Sequence, residues 1–382
     1  MGGQLVSLEA FEVRLPLPRP LRLGAIRIPD REYTIVRARD DEGHVGSAYG
    51  LSRNAPLAAL VARTVAPYWQ SRALDDHALF YAHAVEANVC LGPQGVFWRA
   101  LGLADCALYD LLAMRAGRPL YDYLGGAPRR VPALSVGGYP SPHETAASLT
   151  AQVALMLDDG PAGIKIASCS DYARDTPRLR ACRAAMPDAL PLMIDLHWGA
   201  RDAAALLPEA RVWEGLRLGW IEDPVAFDDV ESMTQLADQL ASPIAVGDEQ
   251  SGHRHILRLM DEGRIDVLRL DATACGGVRA FMALANAAAE RGLPVSCHVF
   301  HHLHAHLAAA APNVAWVEYM RPELGIESIH LLWAMTHALP TAGSWRRRLP
   351  ALATSGTRTR SSGTAARARI CRAAEGRGQR TS

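Results

Sequence analysis

A single lysine stands in this chain of 382 residues: its 40 basic side chains are Lys165 and 39 arginines. Arginine would serve as well for surface charge. It would not serve as a proton acceptor, because a guanidinium keeps its proton inside a protein while a buried ammonium can lose it. Lys165 lies in Ala162-Gly163-Ile164-Lys165-Ile166-Ala167, which reads as a buried strand with a candidate base at its end. A series of short apolar runs follows, each closed by an acid or a base. They end in Asp195, Glu222, Asp248, Asp271, His298 and Glu318, at intervals of 20 to 30 residues. Asp195, Glu222 and Asp248 offer three hard oxygen donors from consecutive strands, a set suited to Mg²⁺. A salt-bridge network is the alternative, but the mouth offers few cations besides Lys165 and His298. A carboxylate beside an imidazole fixes its tautomer and raises its basicity, so Asp271 and His298 read as a dyad. Burial that raised the pKa of Glu318 would make it a proton or hydrogen-bond donor. A metal, two opposed bases and an acid suit removal of a proton α to a carboxylate, whose enediolate needs electrostatic stabilisation.

These residues must be positioned by repeating units. Each interval accommodates one strand and one helix, and parallel strands need such a crossover. Functional groups at successive strand ends describe a TIM-type barrel with its site at the C-terminal face. The expected fold is α/β: an N-terminal α+β capping domain over residues 1–125, then a modified TIM-type (β/α) barrel over 126–336. The barrel should open at Val131–Val136. Helices are expected at Pro142–Asp158, Asp175–Met186, Ala200–Pro208, Val230–Leu240, Arg254–Glu262, Gly277–Arg291 and His302–Ala311. In the cap, Glu32–Ala38 and His44–Tyr49 read as strands about a turn at Asp40–Gly43, and residues 55–117 as helices. Pro16–Pro29 reads as a loop rich in proline and arginine. Pro20–Pro29 and Tyr49–Asn54 are expected to fold over the barrel mouth as a lid, with Arg22 and Arg27 available to a distal carboxylate.

Composition bounds the partners. Formal net charge is zero and no run approaches a membrane span, so neither nucleic acid nor membrane is implied. The N-terminus lacks a signal-peptide pattern, and seven scattered cysteines fit a reducing cytoplasm. Residues 337–382 change character: ten arginines and one acid, Glu375, follow from Arg346 without apolar periodicity. That tail reads as disordered or aberrant.

The motifs Trp220-Ile221-Glu222-Asp223-Pro224, Asp271 before Gly276-Gly277, His298 before His306-Leu307, and Trp316-Val317-Glu318 together resemble the mandelate racemase subgroup of the enolase superfamily. The resemblance runs over roughly residues 1–335, and Asp105–Gly126 is similar to that family's junction of cap and barrel. It implies Asp195, Glu222 and Asp248 as Mg²⁺ ligands, the His298–Asp271 dyad as one base, Lys165 as the other and Glu318 as an electrophilic acid. It also implies a small carboxylate substrate, and a homo-oligomer is expected.

Three positions depart from the family pattern. Gly163 stands where a first lysine is usual. His197 replaces an asparagine and should share the face of Asp195, as a substrate or acid/base residue or as a structural one. Glu249 adjoins Asp248 and is expected behind it rather than on the metal. Histidines 301, 302, 304 and 306 are expected to line the pocket or face solvent. Dehydration of a sugar acid is the activity expected, with racemisation or epimerisation of a 2-hydroxy acid as the alternative. A cycloisomerase would carry lysine where Asp271 stands. A non-catalytic binding protein on the same fold is the remaining reading.

Overall fold

The computed structural model describes residues 2–23, 26–332, 352–353 and 369–372. Three antiparallel strands begin the chain: β1 (Leu5–Leu23), β2 (Ile26–Asp40) and β3 (Val45–Leu51). The β2–β3 turn is drawn in by Asp40, whose carboxylate accepts the backbone N–H groups of Glu42 and His44. Apart from residues 24 and 25, which lie outside the described residues, Pro16–Pro29 is strand rather than loop. β1 and β2 continue as a two-stranded ribbon, with a register shift between Pro16 and Leu21. That irregularity is where prolines, which cannot donate to a ladder, are tolerated. Helices then cover the sheet, the longest being Val96–Arg115, from whose buried face Leu101, Ala104, Leu108 and Leu111 pack into the core.

Eight parallel strands follow: β4 (Val131–Gly137), β5 (Gly163–Ala167), β6 (Leu192–Asp195), β7 (Leu218–Glu222), β8 (Ile244–Val246), β9 (Val267–Leu270), β10 (Val295–Cys297) and β11 (Val314–Tyr319). Each pairs with the next, and β11 pairs with β4, closing the barrel. Strand alternation sorts the side chains. Ile164, Ile166, Ile194, Ile221, Leu268 and Leu270 face the helices in the main core. Leu134, Met193, Trp220, Ala245 and Val267 fill the barrel interior as its own cluster. That plug is the floor of the site; the next inward positions carry Lys165, Asp195, Glu222 and Arg269.

The seven crossover helices lie at Ala146–Leu157, Tyr172–Ala184, Ala203–Trp213, Val230–Gln239, His253–Glu262, Val278–Glu290 and His301–Ala310. The helix expected to stop at Pro208 runs on to Trp213. Its buried face, with Leu206, Ala210 and Trp213, recovers by packing what the missing proline N–H loses.

Cap and barrel pack together on more than one side. Val13, Leu15, Tyr33 and Leu51 of the cap pack on Val299, Phe300, Ile329 and Leu332 beside the mouth. On the other side, the carboxylate of Asp105 accepts the backbone N–H of Arg279. Gly277 makes that approach possible: its φ is +101°, and a Cβ there would lie 2.3 Å from Asp105 Oδ2. Of residues 337–382, Leu352–Ala353 pairs parallel with β4 and Arg369–Arg372 antiparallel with the open edge of β1. These six residues form short strands; the rest of the tail, on which the reading of disorder falls, lies outside the described residues.

Candidate active site

Lys165 projects from the middle of β5, not its end, into the barrel mouth, with 2% of its side chain exposed. Its Nζ lies 3.1 Å from Asp195 Oδ2 and 2.6 Å from Glu318 Oε1, and also donates to Glu222. Burial works against the ammonium, but the three carboxylates outweigh it and hold Lys165 well above the ordinary lysine range. Glu222 is fixed from below by the indole N–H of Trp220 at 2.8 Å.

A second cation enters that the sequence reading missed. Arg269 is wholly buried on β9, two residues before Asp271 and therefore on the same face. Its guanidinium pairs with Glu318, lies 3.2 Å from Glu222 and reaches within 3.9 Å of Asp248. The expectation that Lys165 and His298 are nearly the only cations at the mouth is thus overturned. So is a raised pKa for Glu318. Burial pushes that carboxyl up, but Lys165 and Arg269 more than offset it and hold it at about 2. Its other oxygen accepts the Val299 N–H at 2.9 Å. As placed, Glu318 accepts from Val299 N–H and pairs with Lys165 and Arg269.

Asp195, Glu222 and Asp223 each offer an oxygen, and these atoms lie within 4.8 Å of one another. Asp223 was not anticipated. Its backbone has φ +42°, which turns its carboxyl back into the mouth. Burial and the charges of Asp248, Glu222 and Asp195 push that carboxyl well up, and it shares a hydrogen bond with Asp248. Asp248 keeps one buried oxygen, Oδ1, without a partner. A set of carboxylates alone, with an orphaned oxygen among them, suits a divalent cation that prefers hard oxygen ligands.

The predicted dyad forms. His298 Nδ1 lies 3.0 Å from Asp271 Oδ2, while Asp271 Oδ1 accepts from the backbone and hydroxyl of Thr273 at 2.7 and 2.8 Å. His298 Nε2 turns toward Asp248 and Glu249, at 3.8 and 3.9 Å. Burial lowers its pKa, but Asp248, Asp271 and Glu249 raise it more, to about 9. β5 and β10 stand three strands apart by way of β4 and β11 and five by the other route. Lys165 and His298 therefore flank the carboxylates from nearly opposite sides.

Of the following histidines, His304 and His306 are fully buried. His304 accepts the Ala272 N–H on Nε2 at 3.1 Å, so its Nδ1 carries the proton given to Val299 O. His306 stacks on Tyr121. These two are structural, as the packing of the short β10–β11 helix requires. His301 and His302 line a smaller cavity beside Glu318.

A cavity of about 470 Å³ lies over the acids, walled by Lys165, Asp195, His197, Trp198, Asp248, Glu249, His298 and Glu318. From the cap, Ile28, Arg31, Leu51, Arg53 and Asn54 close it, as the expected lid would. Arg22 and Arg27 face each other across the β1–β2 ribbon, exposed and outside that wall. Arg31 and Arg53 stand where those two were expected. Glu249 is gripped by Arg53 and Arg99. Burial opposes its charge, but the two arginines hold it well below the carboxylate range. β6 ends at Asp195, and His197 returns to the site by a left-handed turn, φ +50°, rather than by strand alternation. Its Nδ1 lies 3.0 Å from Asp195 Oδ1, and its ring stacks on Tyr139.

One pH effect follows for the protein without divalent cation. His298 is raised to about 9 from an ordinary value of 6.5. Its contribution to stability is full below pH 6.5 and is lost as pH rises through 9. Glu222, which burial pushes up to about 7, acts in the same direction. Thermal melts in chelator are expected to fall between pH 6 and 9, with a shallower fall in His298→Asn. A flat profile in the parent would refute this.

A sequence model described as Enolase C-terminal domain-like matches residues 148–337. L-talarate/galactarate dehydratase of Salmonella typhimurium is 30% identical over 305 residues, 79% of this chain and 74% of the relative. The solved structure of L-talarate dehydratase from Polaromonas sp. JS666, complexed with Mg and L-glucarate, superposes with a TM-score of 0.76 at 29% identity, covering 83% of this chain and 87% of the other. N-succinyl-L-Arg/Lys racemase of Bacillus cereus is 21% identical over 81% of this chain and 82% of its own length.

Proposed function

The chain belongs to the enolase superfamily, among its mandelate racemase-like members, and from that premise we propose that it removes the proton α to the carboxylate of a sugar acid and expels water. The observation that carries the reading is the flanking of one buried carboxylate cluster by Lys165 on one side and the His298–Asp271 dyad on the other.

Asp195 and Glu222 would hold Mg²⁺, with the third carboxylate supplied by the hydrogen-bonded pair of Asp223, whose oxygen lies within 4.8 Å of theirs, and Asp248. When bound, the ion supplies the charge that stabilises an enediolate and offsets the acids around Lys165. The chain's own groups do the rest. Lys165 Nζ receives the α-proton on its face of the substrate. His298, oriented by Asp271 through Nδ1, presents Nε2 to the other face and gives its proton to the departing β-hydroxyl. Cap residues Ile28 and Leu51 exclude water from the anion. Glu318 and Arg269 hold the electrostatic frame; Glu318, kept ionised, accepts hydrogen bonds.

The two-sided arrangement also favours a second reading, racemisation or epimerisation, since bases on both faces can exchange the α-proton either way. Incubation of acid sugars with Mg²⁺ in D₂O separates them. Dehydration is expected, with one solvent deuterium incorporated at the β-carbon as the enol product ketonises. Solvent deuterium at the α-carbon without loss of water would favour the racemase. Neither change in any acid sugar or 2-hydroxy acid, with calorimetric Mg²⁺ binding also absent, would leave the non-catalytic reading. Among the described residues no helix is long and apolar enough to cross a membrane. Val89, Leu91 and Val96 are exposed near one another in the chain, at 73%, 50% and 46%, an apolar surface in keeping with self-association.

A further inference from the structure

The backbone that leads away from His298 is strained. Val299 has φ +50° and Phe300 φ +25°, and neither is glycine. A β-branched residue at positive φ persists only where its surroundings hold it. Side chains do so here, taking both backbone polar groups of Val299. Its N–H donates to Glu318 Oε2 at 2.9 Å, and its carbonyl accepts from His304 Nδ1 at 3.2 Å.

The other nitrogen of His304 reaches a second strand end. Nε2 accepts, at 3.1 Å, the N–H of Ala272, the residue that follows Asp271. One wholly buried imidazole therefore ties the residue after His298 to the residue after Asp271. The two bonds need a donor and an acceptor on one ring, so only the neutral form makes both. Burial outweighs the nearby Asp271 and keeps the imidazole below its ordinary pKa. The position of His304 in the chain gives it this reach. It stands in the first turns of helix His301–Ala310, where side chains lean back toward the N-terminus and so over residue 299. Phe281 stacks on the ring, with centroids 5.8 Å apart, and fixes its plane.

We propose that His304 is a positioning residue for proton transfer at His298: it sets the geometry of the His298–Asp271 pair by clamping together the two backbones that carry them. The inference rests on the proposed function for the chemistry at His298, but not for the clamp itself. Three substitutions in the Mg²⁺-loaded protein test it. His304→Gln keeps one donor and one acceptor. His304→Asn keeps a donor for Val299 O but falls short of Ala272. His304→Leu keeps apolar volume and neither bond. Nuclear magnetic resonance of protein carrying isotope-labelled histidine reads the proton between His298 Nδ1 and Asp271 Oδ2, and its disappearance in His298→Asn identifies it. That downfield resonance is expected to stay in His304→Gln, to shift in His304→Asn and to be lost or broadened in His304→Leu. With an acid sugar that the parent turns over, α-proton exchange in D₂O from the His298 face should fall by about 10–10²-fold in His304→Leu, the cost of a small misplacement of a catalytic group. Exchange from the Lys165 face should be nearly unchanged, and His304→Gln should retain most of the parent's rate on both. A resonance in His304→Leu at the parent's position and width, or none in the parent, overturns the proposal. So does an equal loss from both faces, which a merely structural histidine would give. If His304→Leu does not fold, His304→Asn is judged by the same two readings. A resonance that responds as expected in a protein that exchanges no α-proton would support the clamp and count against the chemistry.

Discussion

Replacing Arg269 with methionine is expected to cost about 3–5 kcal/mol of stability in the presence of a chelator, the cost typical of removing one partner from a buried ionic cluster. Arg269 has no exposed surface and touches Glu222, Glu318 and, at 3.9 Å, Asp248. Without it, Lys165 alone would face Asp195, Glu222 and Glu318. Methionine fills much of the volume, so the loss is electrostatic more than a cavity. Two controls follow. Arg269→Met with Glu318→Gln removes one charge of each sign and should recover a substantial part of the loss. A divalent cation should recover more stability in Arg269→Met than in the parent, because the variant has the larger charge to neutralise. Urea unfolding read by circular dichroism checks all three. A parent-like midpoint for Arg269→Met in chelator would show that the cluster does not depend on this arginine.

Arg269 also shows how far the sequence could be read. Its parity with Asp271 was visible, since both stand at odd positions of a strand whose Leu268 and Leu270 face the helices. What hid it was abundance: one arginine among 39 is unremarkable, and the run read as apolar closed by an acid. Positions ending regular strands were legible, because period-2 alternation and helix-length spacing leave them one direction to point. The dyad of His298 and Asp271 and the convergence of Lys165, Asp195 and Glu222 came out on that ground. Positions governed by irregular backbone were not. Asp223, at φ +42°, joins the acids although it neighbours Glu222 on the chain. Charge states were legible only with a complete partner list. Burial alone would make Glu318 an acid, but with Lys165 and Arg269 beside it the carboxyl stays ionised. The Pro16–Pro29 ribbon failed for a related reason, since proline content signals a loop only where a continuous ladder is required.

Lys165→Arg is expected to lower turnover by about 10²–10⁴-fold, the contribution of a positioned proton acceptor, while leaving folding and Mg²⁺ binding near the parent. The substitution separates two roles. As a counter-ion, Lys165 balances Asp195, Glu222 and Glu318, and arginine retains that charge. As a base, it must exist for part of the cycle as a free amine, which a guanidinium does not supply at working pH. The side chain is 2% exposed, so the larger head must displace its neighbours slightly, and a melting temperature lower by a few degrees is within expectation. A calorimetric Mg²⁺ titration then establishes that the acids remain in place. The two faces of the site give the sharper reading. In Lys165→Arg, exchange of an α-proton presented to His298 should continue in D₂O, because the His298–Asp271 pair lies across the barrel from the substitution. Exchange from the Lys165 face should stop. His298→Asn should give the mirror result. Loss from both faces in Lys165→Arg, with Mg²⁺ affinity intact, would mean that the lysine acts through the geometry of the cluster. Near-parent rates from both faces would remove Lys165 from the chemistry and leave the chain's single lysine a counter-ion.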